Sequence, residues 1–342
     1  MLTERQKCIL AVVVREYTRT IMPISSQGIS RLCGLNVSSA TVRNELSLLE
    51  ELGFVTHPHT SAGRIPTDMG YRYYVDHLLE KVSVSRELAY QVVDSFGDRS
   101  QSLDELMRKT SKLLSSLTNQ ASLVIYPKLE LQRLKSINLI PLDVSRMVVV
   151  WVSANGMVWH NTIDLETPLE IEKIQSLVNY INKELVGVFF HELEAQLVEK
   201  IQVRKDSVRR LHDLALRVVK ESLLVSQELR LFLEGSNNVL NSPEFEDRSK
   251  TRQLLNLFES KISILDVFDQ SINNTGLNIH IGQENPLSDI TDCSLVTSSY
   301  RLKDDTVGFL GVLGPKRMEY ERVIPIVEYM SDEMEDLIQK FF

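Results

Sequence analysis

Apolar positions first recur at helical spacing. Ile9, Val13 and Tyr17 stand at i, i+4 and i+8, in a helix that Thr3 caps and that runs to about Thr20. Pro23 ends this stretch, because the residue before proline is pushed out of the helical region. Ser25 or Ser26 offers the N-cap of a short second helix ending near Cys33, and Gly34 suits the left-handed turn that follows. Ser38 caps a third helix over about 39–52, which Gly53 stops. The period then changes. Residues 54–57 and 64–67 read as two short strands around a tip, 58–63, rich in turn formers. Thr67 or Asp68 caps a fourth helix bearing Tyr71, Tyr74, Val75, Leu78 and Leu79.

From 85 to 119 the spacing is helical again, with a weak break at 96–98. Strand-like runs at 123–126, 134–140, 147–152 and 157–165 follow, and Asn155-Gly156 supplies a hairpin turn. Residues 168–271 are mostly helical, interrupted by a polar stretch at 234–243. Strand signals return at 277–281, 294–300 and 306–313. A closing amphipathic helix carries Val323, Val327, Met330, Met334, Leu337 and Phe341, a stripe too short for a coiled coil that is expected to pack on a sheet. Two clusters of strands on either side of about a hundred helical residues suggest one α+β domain with a helical insertion. No internal repeat is visible.

At 342 residues, 43% apolar and 25% charged, the chain is an ordinary folded protein of two or three domains. Its longest apolar run, 8–14, is far short of the ~18 residues a membrane span needs. That run lacks the flanks of a signal peptide. Cys8, Cys33 and Cys293 form no CxxC pair and no disulfide framework; Cys8 and Cys33, among apolar neighbours, are expected as buried reduced thiols, Cys293 in its more polar setting says little, and a cytoplasmic location is expected. The net charge of −8 argues against nonspecific binding of nucleic acid by the whole chain. Residues 1–81, however, carry nine basic and eight acidic side chains, while the remainder carries 29 and 38. Contact with an acidic polymer would fall to the N-terminal part.

Three helices followed by a hairpin make a winged helix-turn-helix. On the third helix Leu46 and Leu49 lie within about 40° of Val42, and the three form the buried face. Ala40, Arg43, Asn44 and Ser47 point the other way. Arg can donate two bonds to guanine and Asn can pair bidentately with adenine. Small Ser39 and Ala40 permit close approach, and the helix N-terminus, with Ser38 and Thr41, offers N–H groups to phosphate. Glu50 and Glu51 at the far end would repel it. On the hairpin, Thr56, His57, His59, Thr60, Ser61 and Arg64 are donors suited to phosphate or the minor groove. The alternative is an ordinary polar surface helix and hairpin.

The segments Val37-Ser-Ser-Ala-Thr-Val-Arg-Asn-Glu-Leu46, Pro58-His-Thr-Ser-Ala-Gly-Arg64, Pro66-Thr-Asp68 and Gly70-Tyr-Arg72 resemble the HrcA family of heat-inducible transcription repressors. The similarity continues at 235–245, in Ile281-Gly-Gln-Glu-Asn-Pro-Leu287 and in Gly311-Val-Leu-Gly-Pro-Lys-Arg-Met318. It is mildly broken by Met22-Pro-Ile-Ser-Ser26 and by Lys316, where threonine is common. The resemblance implies an α+β multidomain fold: a winged helix-turn-helix (1–82), a GAF-like α/β domain in two segments (83–167 and 273–342), and a mainly helical dimerisation domain inserted at 168–272. It also implies a homodimer on an inverted-repeat operator in double-stranded DNA, upstream of chaperonin and chaperone operons. The GroE chaperonin would keep the repressor active and heat would release it. A two-fold protein reading a palindrome is consistent with this.

Enzyme chemistry finds no complete constellation. His191-Glu-Leu-Glu-Ala195 lacks the second histidine of HExxH, and Gly308, Gly311 and Gly314 before Pro315-Lys316 do not make a phosphate loop. No metal, cofactor or membrane contact is expected. A second possibility is a small-ligand sensor using the GAF-like domain, with Tyr126, Trp151, Trp159 and Phe309 lining its pocket.

Overall fold

The computed structural model describes residues 2–34, 37–58, 63–80, 83–96, 102–126, 131–165, 171–200, 206–225, 231–260, 264, 276–287, 290–302 and 306–341. Helix α1 (Glu4–Thr20) starts in a reciprocal capping box between Thr3 and Gln6. It ends at Ile21, a β-branched residue at φ 61°. Helices α2 (Ser26–Leu32) and α3 (Ser39–Glu51) are capped by Ser25 and Ser38. Strands β1 (Val55–Thr56) and β2 (Ile65–Pro66) form the hairpin, antiparallel with Val55 opposite Pro66. Helix α4 (Asp68–Tyr73), capped by Thr67, then widens by one residue per turn over Tyr74–Leu78, where the Leu79 N–H reaches back to the Tyr74 carbonyl. Ile9, Leu10, Val13, Ile29, Val42 and Leu49 are buried together at the centre of these helices.

Helices α5 (Arg86–Phe96) and α6 (Leu103–Thr118) lead to strand β3 (Ala121–Ile125). Three strands follow, β4 (Leu134–Pro141), β5 (Arg146–Ser153) and β6 (Val158–Asp164), then helices α7 (Ile171–Leu185), α8 (Leu193–Lys200) and α9 (Asp206–Val225). Strand β7 (Leu231–Glu234) precedes α10 (Ser236–Leu240) and α11 (Arg248–Glu259). Strands β8 (Asn278–Ile281), β9 (Cys293–Arg301) and β10 (Val307–Pro315) and helix α12 (Tyr320–Phe341) close the chain.

The strands make two larger sheets, both antiparallel. One has the order β7-β3-β10-β9-β8. Helices α6 and α12 pack against it through Val124, Val296, Leu310 and Val312. Leu123, Ile125, Leu295 and Phe309 face a separate apolar cluster with Val239, Phe245 and Leu254 from α10, the following turn and α11. Covering both faces explains why β9 and β10 are buried at nearly every position. Close packing also explains Gly308: a Cβ there would stand 2.2 Å from the Tyr300 ring.

The second sheet, β4-β5-β6, is separate from the first. Its strands do not join β3 and β8–β10. They form their own layer, backed by α7, α8 and α9, so the chain leaves the five-stranded sheet after β3 and returns at β7. Alternating apolar positions look the same whichever sheet a strand joins, and the choice of neighbour is made by non-local packing. Asn182 on α7 seals one edge: its side chain accepts from the Ile137 N–H at 2.8 Å and donates to the Ile137 carbonyl at 2.9 Å. The expected aromatic pocket is split by the same division. Trp151 and Trp159 pack on Phe190 in the three-stranded unit, with ring centres 5.7 and 5.9 Å away, whereas Tyr126 and Phe309 belong to the other sheet region.

Candidate nucleic-acid interface

The third helix is anchored at its start and sided along its length. The Ser38 hydroxyl accepts from the Thr41 N–H at 3.2 Å, so the cap is made by a side chain of the turn. Val42 and Leu49 are fully buried and Leu46 is nearly so. Ala40, Arg43, Asn44 and Ser47 are exposed, and Ser39 and Thr41 are half-buried at the helix start. The Ser47 hydroxyl donates to the Arg43 carbonyl at 3.1 Å. Arg43 makes one long contact, Nε to Ser26 Oγ at 3.4 Å, which leans the guanidinium toward α2. An arginine, an asparagine and a serine thus share one open helix face, with short side chains at its N-terminal end.

The hairpin is tied to the helices at its base. Arg64 and Ile24 exchange backbone hydrogen bonds of 2.9 and 3.0 Å. Gly63 is required there, because a Cβ would stand 2.3 Å from the Ile24 carbonyl oxygen. Glu50 acts as a brace between α3 and the hairpin. One of its carboxylate oxygens contacts His57 Nδ1, and the other receives Arg64 Nη2 at 2.7 Å. His57 and Arg64 therefore point at Glu50 rather than standing free on the tip, and Glu50 is the partner of two hairpin side chains instead of an unpaired negative end. His59, Thr60 and Ser61 lie outside the described residues.

The winged helix is also joined to the rest of the chain through charged side chains. Asp68 Oδ1 meets Lys316 Nζ at 2.8 Å, and Asp68 Oδ2 accepts the Gln283 N–H at 3.1 Å. Arg72 holds Glu284 through two nitrogens, Nε at 2.9 Å, and also donates to the Ile279 carbonyl. Arg15 Nε lies 2.8 Å from Glu321 Oε1, which also receives the Tyr74 hydroxyl. Arg317 pairs with Glu244 and reaches the Thr18 carbonyl at 3.5 Å.

These contacts leave a signature in the carboxylates. Burial pulls Glu284 upward, but the bonds from Arg72 and from the Ile281 N–H outweigh it and hold the group below its ordinary range. Glu321 behaves alike, burial being outweighed by Tyr74 and Arg15. Tyr74, desolvated and bonded to Glu321, is pushed up to about 12.

Comparison with known proteins decides the family. Residues 1–77 match the model described as winged helix-turn-helix transcription repressor, HrcA DNA-binding, and residues 104–324 match that of the HrcA protein C-terminal domain. The chain belongs to the HrcA family. Heat-inducible transcription repressor HrcA of Syntrophobacter fumaroxidans is 36% identical over 99% of this chain and 98% of its own length. That of Bacillus pumilus is 34% identical over 100% and 99%. A crystal structure at 2.2 Å of a protein described as hypothetical shares the fold, with a TM-score of 0.66, 23% identity and 99% coverage of both chains.

Membership of HrcA gives the junction its meaning. Segments that carry the family likeness, far apart in sequence, converge there: Asp68 and Arg72 from one side, Gln283, Glu284, Lys316 and Arg317 from the other. Sequence reasoning named these motifs without giving their charged residues a task, and it missed the bracing role of Glu50. An acidic residue at the end of α3, close ahead of a hairpin bearing His57 and Arg64, was the available signal. Among the described residues no helix is long and apolar enough to cross a membrane, and no cluster of three or more His, Cys, Asp or Glu could hold a metal ion.

Proposed function

We propose that this chain represses chaperonin and chaperone operons by binding, as a homodimer, an inverted repeat in double-stranded DNA. Heat releases it, and the GroE chaperonin returns it to the active state. In this reading the N-terminal half of α3 enters the major groove. Arg43 and Asn44 read base edges, and Ser38, Ser39, Ala40, Thr41 and Ser47 line the approach. The hairpin carrying His57, His59, Thr60, Ser61 and Arg64 lies along the backbone, with Arg64 supplying phosphate affinity while Glu50 sets its position. The five-stranded unit takes the part of the GAF-like domain, and β4–β6 with α7–α9 that of the dimerising insertion.

The observation that carries this proposal is the open Arg43–Asn44–Ser47 face on a capped helix whose opposite face is buried. Binding of the purified full-length chain to a duplex bearing the inverted repeat, against a scrambled duplex across a salt series, tests it. Sequence-dependent binding with a steep salt slope is expected. Arg43→Ala should lower discrimination roughly 5- to 100-fold, whereas Arg64→Ala should weaken both duplexes alike. Unchanged operator affinity in Arg43→Ala would remove α3 from the groove. Equal, weak binding of both duplexes, with and without GroE, would overturn the repressor reading of this chain.

A further inference from the structure

Cys8 and Cys33 are 25 positions apart, yet the fold brings their sulfurs into contact at 2.6 Å. Cys8 lies in the second turn of α1, and its thiol also donates to the Cys33 carbonyl at 3.3 Å. Cys33 is the C-cap of α2, the first helix of the helix-turn-helix, and Gly34 beside it opens the turn at φ 63°. Ser30, one turn earlier on α2, donates to the Val37 carbonyl at 2.7 Å just before α3 begins. The thiol pair therefore stands where the reading helix is hung from α1. Both thiols are free, and the third cysteine, Cys293, is buried in the five-stranded sheet.

We propose that Cys8 and Cys33 are a reversible dithiol–disulfide site, closed by hydrogen peroxide, that staples the helix-turn-helix to α1. Cys8 is the more exposed residue of the two and meets the oxidant first; Cys33 is only 9% exposed. Burial, aided by contact with Cys8, pushes the Cys33 thiol up to about 12, so it stays protonated until it reacts. The Cys8 thiolate attacks one peroxide oxygen. The O–O bond breaks, hydroxide leaves and takes up a proton, and Cys8 becomes a sulfenic acid. The Cys33 sulfur then attacks the Cys8 sulfur. The S–O bond breaks as the S–S bond forms, and the departing hydroxide leaves as water with the Cys33 proton. Two thiols and one peroxide give one disulfide and two waters. The two sulfurs lose the two electrons that reduce the peroxide. A small dithiol reverses the step by exchange. Because the sulfurs already touch, closure requires little further approach, and the bond stabilises mainly by constraining the unfolded chain.

The test uses the full-length protein titrated with hydrogen peroxide, quenched with an alkylating reagent and mapped by peptide mass. The expected result is a Cys8–Cys33 cross-linked peptide lighter by two hydrogens. Its appearance should accompany a rise of roughly 5–10 °C in the melting temperature, and dithiothreitol should reverse both. Cys293→Ser should behave as the parent, and Cys8→Ser and Cys33→Ser should lose the shift. Oxidation of Cys8 to sulfinic acid without the cross-link, a cross-link between two chains, or a melting temperature that does not rise would each overturn the proposal. The mass readout on the unmutated chain stands even if a serine variant folds poorly, and neither readout involves DNA.

Discussion

Gly282 offers a direct measure of how firmly the DNA-binding domain is joined to the rest of the chain. It adopts φ 58° at the first position of a short turn (Gly282–Glu284). An added Cβ would stand 2.0 Å from Asp68 Oδ2. Gly282→Ala therefore has two costs. Placing a side chain at positive φ costs about 1–2 kcal/mol wherever Asp68 goes. Displacing Asp68 also removes its bond from the Gln283 N–H and its pairing with Lys316. A hydrogen bond to a charged group contributes about 1.5–3 kcal/mol. The pair with Lys316 is partly exposed and adds at most about 1 kcal/mol. With the exposure discounted, the contacts amount to about 2 kcal/mol and the full substitution to about 3–4 kcal/mol. Asp68→Ala loses the same contacts but leaves room for the new methyl group. In the double variant only the backbone cost is added, so the two penalties should fall short of additivity by about 2 kcal/mol. Hydrogen exchange at α4, which reads the free energy of opening there, is the assay. Strictly additive penalties would refute the argument, because they would mean that Gly282 and Asp68 do not meet in solution.

Lowering the pH should loosen the same junction. Glu284 and Glu321 are held below their ordinary range in the folded chain, so their contribution is complete above the unfolded value of about 4.3 and is lost as pH falls through their depressed folded values. Limited proteolysis between the N-terminal helices and the five-stranded unit should therefore accelerate below about pH 4, and an unchanged rate would count against these pairs. Ser38→Ala should cost about 1 kcal/mol of winged-helix stability by leaving the Thr41 N–H uncapped, read by denaturant titration. Asn182→Ala should destabilise the three-stranded unit by about 1–3 kcal/mol, since both polar groups of Ile137 lose their partner; tryptophan fluorescence reports that unit, which contains Trp151 and Trp159.

Local rules determined much of this protein. Serine caps, a proline stop, glycine turns and apolar spacing located α1, α2 and α3, and the buried and open faces of α3 followed from helical periodicity, because each depends on neighbours within one or two turns. The closing helix was legible for the same reason, and its Val323, Val327, Met330 and Met334 are buried. Tertiary structure decided what depends on distant partners. Leu231-Phe232-Leu233 was absorbed into a helical stretch, and it became a strand because β3 offered it an open edge. The strands at 134–164 chose one another over β3 for a similar reason: hydrogen bonding along a strand edge carries no address in its own sequence. His57 and Arg64 were legible as hydrogen-bond donors on a hairpin, but only the folded chain set Glu50 between them. Charge acts through space at a few ångströms and not along the chain. The order of residues therefore announced α3 and its open face, while the brace behind it, the joint beneath it and the meeting of Cys8 with Cys33 existed only once the helices had packed.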